Sequence, residues 1–547
     1  MVNFRNRRDA PNYCQQAHHH HAVSTRSLAT MSSHAEALAA RESAILDAAQ
    51  VPSAHAAEAA KVENEHLLAM SISIMILLNI ISLGIGQWLH SKHIYWLPEC
   101  GATIIVGFFA GWIVSSMLPP DVEREEAHLY FDSTFFMLFL LPPIIFDAGY
   151  ELNMRLFMRN YGKILTLAIV GTLISTLLTW YLLYTDMTDM LIDLGFSESG
   201  QFAALISAVD PVATLSLFST LKVDPSLNNM VVGESVLNDA VALITFRAIT
   251  HYGVNMKNEW EAIVLSFVIT GLGSALIGVV VGLAASLALK IMGMGRRGDL
   301  PHVETVIFTA FAYGSYVCSE LPENSGIVAA LFAGMTMRAF AKPNLSKRAT
   351  IYVESLLKVM VTICDNIIYL LVGFALTIEI PYVLRPDLPG TTLDMQAVLT
   401  AFVYTLIVCL FARAVHLFPI VGLFNANEPE KWRAPLPQQI VMWYSGLRGA
   451  IAVALAYEVV GPNAHVIRAA TMFVVVGTTF LFGGSTKCLL DVLKIRTGCA
   501  DEEEEEELLD TGRREGGLLK KVYYALEDCL VDRKEDGFKE LKEKFEA

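Results

Sequence analysis

The chain has 547 residues, of which 54% are hydrophobic and 17% charged, and its formal net charge is −15. This apolar composition excludes an ordinary soluble multidomain protein, and the absence of a basic stripe excludes nucleic-acid binding. The run 67–89 lacks Lys, Arg, Asp and Glu and is long enough to cross a bilayer core of roughly 30 Å. The sequence therefore predicts an all-α polytopic membrane protein.

Three regions follow one another along the chain. Residues 1–66 are polar, Ala-rich and of low complexity, which predicts a disordered N-terminal segment. A predicted transmembrane domain over 67–490 contains thirteen apolar spans. The spans are 67–89, 97–117, 131–148, 162–184, 199–218, 228–250, 260–289, 303–319, 324–341, 351–378, 395–424, 437–460 and 467–490. Residues 491–547 form a short acidic tail with an amphipathic helix predicted over 518–546.

The charges of the loops predict how the chain is oriented in the membrane. One alternate set of loops carries fourteen Lys and Arg residues, and the other set carries only Arg124, Lys257, Arg385 and Arg468. Cytosolic loops carry the excess of basic residues. The N-terminus is therefore predicted to lie outside the cell or in a lumen, and the acidic C-terminus in the cytosol.

The sixth span carries two carboxylates and an amide in the sequence GESVLNDAVALITF. A charge at bilayer depth costs from about 2.5 to 17 kcal/mol, so such residues usually have a function. Ser235 and Asp239 are four residues apart and share one helical face, while Glu234 and Asn238 share the neighbouring face. Burial of a lone carboxylate favours its protonated form, so Asp239 could hold either a proton or a hard cation. The alternative is a buried Asp that only crosslinks helices.

The fifth span contains SAVDPVATLS, in which Pro211 is expected to break the helix in the middle of the membrane. The carbonyl groups freed near Ala208 and Val209 would then face a polar cavity together with the Asp210 carboxylate. An ordinary proline kink is the alternative, but it leaves the adjacent Asp210 without a role.

The twelfth span contains YSGLRGAIAVAL, in which Gly446 and Gly449 flank Arg448 and loosen the helix. Each interrupted span is the fifth in its half of the chain, which is typical of an inverted-repeat transporter with a site at the bilayer midplane. Arg448 is predicted to compensate the carbonyl ends of the broken helices. The alternative is an Arg that reaches towards the membrane surface.

In the eleventh span Arg413 requires a buried anion, and Glu234 is the best-placed candidate. Asp147, Asp365, Arg247 and His416 are interpreted as packing or capping residues. No nucleotide-binding loop, nucleophile elbow, zinc motif or dinucleotide fingerprint is found, so no cofactor and no enzymatic activity are predicted. The hypotheses are a secondary transporter, a membrane receptor or sensor without transport, and an intramembrane protease, of which the first fits the paired helix breaks.

Over residues 70–490 the chain resembles the eukaryotic sodium/proton exchangers of the monovalent cation/proton antiporter superfamily. The motifs that carry the resemblance are FLLPPIIFDAGYELN, SAVDPVATLSLF, VVGESVLNDAVALITF, SELPENSGIVAALFAG, CLFARAVHLF and YSGLRGAIAVALAY. The resemblance implies about 13 transmembrane helices in inverted repeats, two crossing broken helices, separate ion-translocating core and dimerisation domains, and a homodimer. It also implies exchange of Na⁺, or of K⁺ or Li⁺, for H⁺ by elevator-type alternating access.

The resemblance also assigns roles to individual residues. Asp239 would bind the ion or proton beside Asn238, and Asp210, Val209 and Ser235 would complete the cavity, with Asp239 and Asp210 as transient Na⁺ ligands. Glu234 and Arg413 match the supporting ion pair of the family, and Arg448 matches the arginine at the second helix crossing. The Asn-Asp pair implies electroneutral one-for-one exchange.

Cellular roles are implied in the same way. The exchanger would sit in the plasma membrane or an endosomal membrane and regulate the pH and cation content of the cell or organelle. The tail faintly resembles a segment that binds calcineurin-B-like proteins and acidic lipids, and simple amphipathic docking on the membrane face is the alternative.

Overall fold

The computed structural model describes residues 54–94, 96–117, 135–152, 154–187, 194–210, 212–252, 256–292, 300–322, 324–383, 395–427, 433–498, 522–523, 526 and 529–530. Residues 1–53 of the predicted disordered segment lie outside the described residues, and so does most of the predicted tail. Residues 54–66 of that segment are helical, because the sequence AHAAEAAKVENEH is rich in residues that favour helices. Contacts divide the chain into two units, with the boundary between Ile74 and Met75.

The described residues form seventeen α-helices and no β-strand. They are α1 (Ala54–Ser91), α2 (Glu99–Met117), α3 (Leu141–Glu151), α4 (Met154–Leu165), α5 (Thr172–Leu182), α6 (Phe196–Ser207), α7 (Val212–Leu221), α8 (Pro225–Tyr252), α9 (Met256–Met292), α10 (Pro301–Glu320), α11 (Gly326–Thr336), α12 (Lys347–Val383), α13 (Met395–Asn427), α14 (Leu436–Tyr444), α15 (Ala450–Tyr457), α16 (Ala464–Thr478) and α17 (Gly484–Leu493). Each predicted span overlaps one of these helices or a pair of them. The all-α prediction is therefore confirmed.

Six helical stretches within the described residues are long and apolar enough to cross a membrane. They are Ile72–Ser91, Leu156–Thr185, Glu261–Met292, Lys347–Thr377, Leu399–Asn427 and Ala464–Leu493. The predicted fifth and twelfth spans are not among them because each is divided into two short helices, α6 with α7 and α14 with α15. The two broken helices expected from the sequence are therefore present.

Short π-helical segments interrupt several helices, a feature that the hydrophobic pattern did not predict. They are Phe136–Leu140, Thr166–Gly171, Leu183–Met187, Met337–Ala341 and Thr479–Gly483. The first comes directly before Pro142 and Pro143, which lack the backbone donors that a regular α-helix uses. A π turn therefore carries the chain into this proline pair without ending the helix.

The helices pack into two groups. In one group α2 packs along α12, and α11 contacts α3, α9 and α10. In the other, α6 contacts α5 and α8, α13 contacts α5 and α14, and α15 contacts α16. Both broken helices belong to the second group. The division into core and dimerisation domains stays a prediction.

The few described residues of the tail contact the ends of two membrane helices. Lys290 Nζ donates to the Cys529 carbonyl at 2.7 Å, and Asn344 Nδ2 donates to the Leu530 carbonyl at 3.0 Å. The Tyr523 ring lies 5.5 Å from the ring of Phe340. The tail thus docks at the ends of these helices. The loop charges assign those ends to the cytosol, and this orientation stays a prediction.

Candidate functional site

The first broken helix is interrupted where the sequence predicted. Helix α6 ends at Ser207, Ala208 has φ −58° and ψ 136°, and α7 begins at Val212. The Val209 carbonyl, freed from the helix by this break, accepts a hydrogen bond from the Ser235 hydroxyl of α8. The break therefore presents its backbone to the helix that carries Asp239.

The second broken helix crosses the first at its break. Between α14 and α15 the backbone at 446–449 is not helical, and the Asp210 N–H donates to the Leu447 carbonyl at 2.9 Å. A side chain at Gly449 would overlap the Asp210 side chain, and one at Gly446 would crowd Arg413. The sequence predicted that the two glycines loosen the helix. In the structure they let neighbouring groups approach the backbone closely.

Replacing Gly449 with alanine should therefore disrupt the crossing. Because the added methyl group overlaps the Asp210 carboxylate, we expect destabilisation of about 1–3 kcal/mol, measured as a lower apparent melting temperature in detergent. Gly422→Ala is the matched control, since a methyl group at Gly422 meets nothing within 4 Å. Equal melting temperatures for the two variants would contradict the close approach.

Arg448 occupies the crossing and binds the carbonyl end of α6. Its Nη1 donates to the Ser207 carbonyl at 3.1 Å and to the Ala208 carbonyl at 2.8 Å, and its backbone N–H donates to Thr478 Oγ1 at 3.2 Å. The last carbonyl groups of a helix carry partial negative charge and need donors. The buried guanidinium supplies both the donors and the compensating charge.

Arg413 binds the carbonyl end of α14 in the other broken helix. Its side chain donates to the Met442 carbonyl at 2.8 Å and to the Trp443 carbonyl at 3.2 Å, near the end of α14. It also pairs with Glu234, with 3.1 Å between Nη1 and Oε1, and both side chains are buried. The structure thus brings together the pair expected from the sequence and adds backbone contacts that the sequence did not predict.

Asp239 and Asn238 lie on α8 at the same level. Asp239 is 8% exposed, lies against the Val209 backbone and is within electrostatic range of Asp210 and Arg448. Among the described residues, neither Asp239 Oδ1 nor Asn238 Oδ1 has a hydrogen-bond partner. Buried polar atoms are almost always satisfied, so two such oxygens beside a helix break are suited to a proton or a small hard cation.

A cavity of about 220 Å³ lies between the α1–α2 connection and α12. Its lining includes Pro98 of that connection and Tyr369 of α12. The Tyr369 hydroxyl donates to Asp210 Oδ2 at 3.2 Å. The cavity therefore reaches a residue that touches the site.

The sequence did not predict two residues that bind the broken helices. Tyr369 lies in an apolar run and gave no signal. Glu198 accepts from the Gly195 N–H at 3.1 Å and, through its two carboxylate oxygens, from the backbone and side chain of Asn463, each at 2.9 Å. It thus ties the start of α6 to the chain after α15, and its position three residues after Gly195 is a helix-capping pattern that could have been noticed.

Two of the weaker intramembrane candidates, Arg247 and His416, have ordinary partners. Arg247 Nη1 lies 3.7 Å from Glu320 Oε1, and His416 Nδ1 lies 2.9 Å from the Ala412 carbonyl. Neither belongs to the crossing. Asp365 lines the cavity described above.

Two interrupted helices that cross at their breaks, with carboxylates and compensating arginines between them, define a secondary transporter of the broken-helix class. A family model described as "Sodium/hydrogen exchanger, transmembrane" matches residues 38–492. The chain belongs to this family, as the sequence motifs predicted.

Two proteins named as sodium/hydrogen exchangers resemble the chain over most of its length. Sodium/hydrogen exchanger 5 of Arabidopsis thaliana is 32% identical over 443 residues, which cover 80% of this chain and 82% of the relative. The endosomal/prevacuolar sodium/hydrogen exchanger of Saccharomyces cerevisiae is 32% identical over 451 residues, which cover 81% of this chain and 70% of the relative.

A solved structure shares the fold. The sodium proton antiporter MjNhaP1 from Methanocaldococcus jannaschii superposes with a TM-score of 0.58 at 15% identity, covering 78% of this chain and 99% of that one. At this identity the comparison concerns the fold alone.

Proposed function

We propose that this chain is a secondary antiporter that exchanges Na⁺ for H⁺ across a membrane, with K⁺ and Li⁺ as the alternative cations. Membership of the sodium/hydrogen exchanger family and relatives named as exchangers favour transport over the receptor hypothesis. The observation that carries the proposal is the buried Asp239 carboxylate, whose Oδ1 lacks a donor at the crossing of two broken helices.

Exchange follows from competition for one carboxylate. Asp239 accepts either a proton or a cation, so the arrival of one releases the other, and the two gradients set the direction of transport. Oxygen atoms of Asn238, Asp210, Ser235 and the Val209 backbone would share the coordination of the cation with Asp239, because hard cations prefer oxygen ligands. The Ser235 hydroxyl already donates a hydrogen bond to the Val209 carbonyl, which leaves the lone pairs of the hydroxyl oxygen for the cation.

The charged groups at the crossing favour a one-for-one stoichiometry. Asp210, Glu234 and Asp239 oppose Arg413 and Arg448, which leaves one negative charge when all five are ionised. One Na⁺ or one H⁺ brings this sum to zero, so the loaded site has the same charge in both directions.

The remaining parts of the proposal concern architecture and cellular context. We propose that 67–490 is the antiporter domain, that it works as a homodimer by elevator-type alternating access, and that 491–547 is cytosolic. Membrane lipids and a calcineurin-B-like regulator are the proposed partners of the tail, supported by its amphipathic pattern. A location in the plasma membrane or an endosomal membrane, with a role in pH and cation balance, is also part of the proposal, and the relative named as endosomal/prevacuolar supports an endosomal location.

The direct test is an assay of purified protein in liposomes that carry a pH gradient. Adding Na⁺, K⁺ or Li⁺ at several pH values should dissipate the gradient for the transported cations, and a pH-sensitive dye reports the rate. Protein-free liposomes are the control. If none of the three cations moved protons, the proposed function would be wrong.

We further expect the exchange rate to be independent of membrane voltage. The charge balance at the crossing means that one-for-one exchange moves no net charge across the membrane. Setting the potential of the liposomes at several values with gradients of the permeant anion thiocyanate, at equal concentrations of every candidate cation, should leave the initial rate unchanged. A rate that rises steadily with voltage would exclude this stoichiometry.

A further inference from the structure

Tyr369 of α12 contacts a proposed cation ligand, and the exchange mechanism above gives it no role. Its side chain is 5% exposed, and its hydroxyl donates to Asp210 Oδ2 at 3.2 Å. A buried tyrosine hydroxyl usually finds a partner, and a hydrogen bond to a charged group is stronger than one between neutral groups. The bond therefore limits how the Asp210 carboxylate can turn.

Asp210 is held from two further directions. Its backbone N–H donates to the Leu447 carbonyl at 2.9 Å. Its side chain also packs against Gly449, so closely that a methyl group there would overlap the carboxylate. The carboxylate thus lies between the second broken helix and the hydroxyl of Tyr369, and its oxygen atoms are held in place.

The restraint on Asp210 matters for the size of the proposed cation site. Asp239 lies within electrostatic range of Asp210, and its Oδ1 has no hydrogen-bond partner within the described part of the chain. The selectivity of a site built from oxygen ligands depends on the size of the cavity and on how flexible the ligands are. A carboxylate that is held in place favours the small ions Na⁺ and Li⁺, whereas one that can turn also accommodates K⁺.

We propose that Tyr369 is a positioning residue that acts through Asp210 and sets a preference for Na⁺ and Li⁺ over K⁺. Its hydroxyl holds the carboxylate in the arrangement that fits a small cation and does not itself bind the cation. Tyr369 also lines the cavity between the α1–α2 connection and α12, so water can replace the hydroxyl where it is removed. A water molecule is not anchored to α12 and leaves the carboxylate free to turn. The inference rests on the proposed exchange of cations for protons.

The test is Tyr369→Phe, which removes the hydroxyl and keeps the buried ring. In the liposome assay, the initial rate is measured against the concentration of Na⁺, Li⁺ or K⁺ separately. We expect the apparent KM for Na⁺ and Li⁺ to rise about fivefold, and that for K⁺ to change less than about twofold, because a preorganised ligand is lost. The maximal rates should stay near those of the wild type. A purely structural role would instead lower the maximal rate for every cation alike and leave the ratio of the KM values unchanged.

Tyr404→Phe is the matched control. The Tyr404 hydroxyl donates to the Leu182 carbonyl at the end of α5, also at 3.2 Å, so the same substitution removes a bond of the same length away from the crossing. We expect this variant to keep the wild-type ratio of KM values. An unchanged ratio in Tyr369→Phe, an equal change in Tyr404→Phe, or a wild type that does not discriminate Na⁺ from K⁺ would each overturn the inference. A wild type that exchanges none of the three cations would instead refute the proposed function.

Discussion

Replacing Asp239 with asparagine is expected to abolish cation-dependent proton exchange while leaving the protein folded. The amide has the shape of the carboxylate but neither binds a proton at physiological pH nor neutralises a cation. Removing a buried charge lacking a donor on Oδ1 should not harm the fold. The liposome assay reports the rate, and size-exclusion profiles with melting temperatures report folding.

Asp224→Asn provides a control at the residue directly before the same helix. Asp224 Oδ1 accepts from the Ser226 N–H at 2.9 Å at the start of α8, and asparagine fills such a capping position equally well. We expect wild-type exchange from this variant. Normal turnover in Asp239→Asn would mean that another group binds the ion, and the site proposed above would have to be abandoned.

Removing either partner of the Glu234–Arg413 pair is expected to cause the largest loss of stability. An uncompensated buried charge costs about 3–5 kcal/mol, and Arg413→Gln also removes donors from the Met442 and Trp443 carbonyl groups. Apparent melting temperature and yield of folded protein measure the effect. The double variant Glu234→Gln, Arg413→Gln should lose less stability than the two single variants added together.

The exposed pair of Lys342 and Glu354 is the matched comparison. Its N–O distance is 2.6 Å, shorter than that of the buried pair, yet Glu354 is 40% exposed. Glu354→Gln should therefore cost no more than about 1 kcal/mol. If Glu234→Gln were as mild as Glu354→Gln, the ion pair could not be the support that holds α8 to α13.

Much of the fold was predictable from the sequence because the signals for helices and for helix breaks are local. Long apolar runs predicted the helices, and Pro211 and the glycines around Arg448 predicted both breaks. The π-helical segments and the helical residues 54–66 were missed. Hydrophobic periodicity cannot distinguish a π turn from an α turn, and the disorder prediction for 54–66 outweighed their helix propensity.

The site was only partly predictable for a related reason. The equivalent positions of the two interrupted spans suggested that Asp210 and Arg448 belong together, and the family resemblance added Asp239 to them. Charge balance suggested Glu234 with Arg413. The backbone partners of Arg413 and the bond from Tyr369 to Asp210 depend on helices far apart in the chain. Such contacts require knowing how α12, α13 and α14 pack, which no local pattern contains.

The contacts of Glu198 have a consequence for the cation selectivity of the transporter. The two broken helices are joined at their crossing by Asp210 and Leu447, and again near their ends by Glu198 and Asn463. Two helices joined at two places cannot pivot about one another, so in the proposed alternating-access mechanism they would move as one unit. The preference between Na⁺ and K⁺ should therefore be identical whichever compartment supplies the ion.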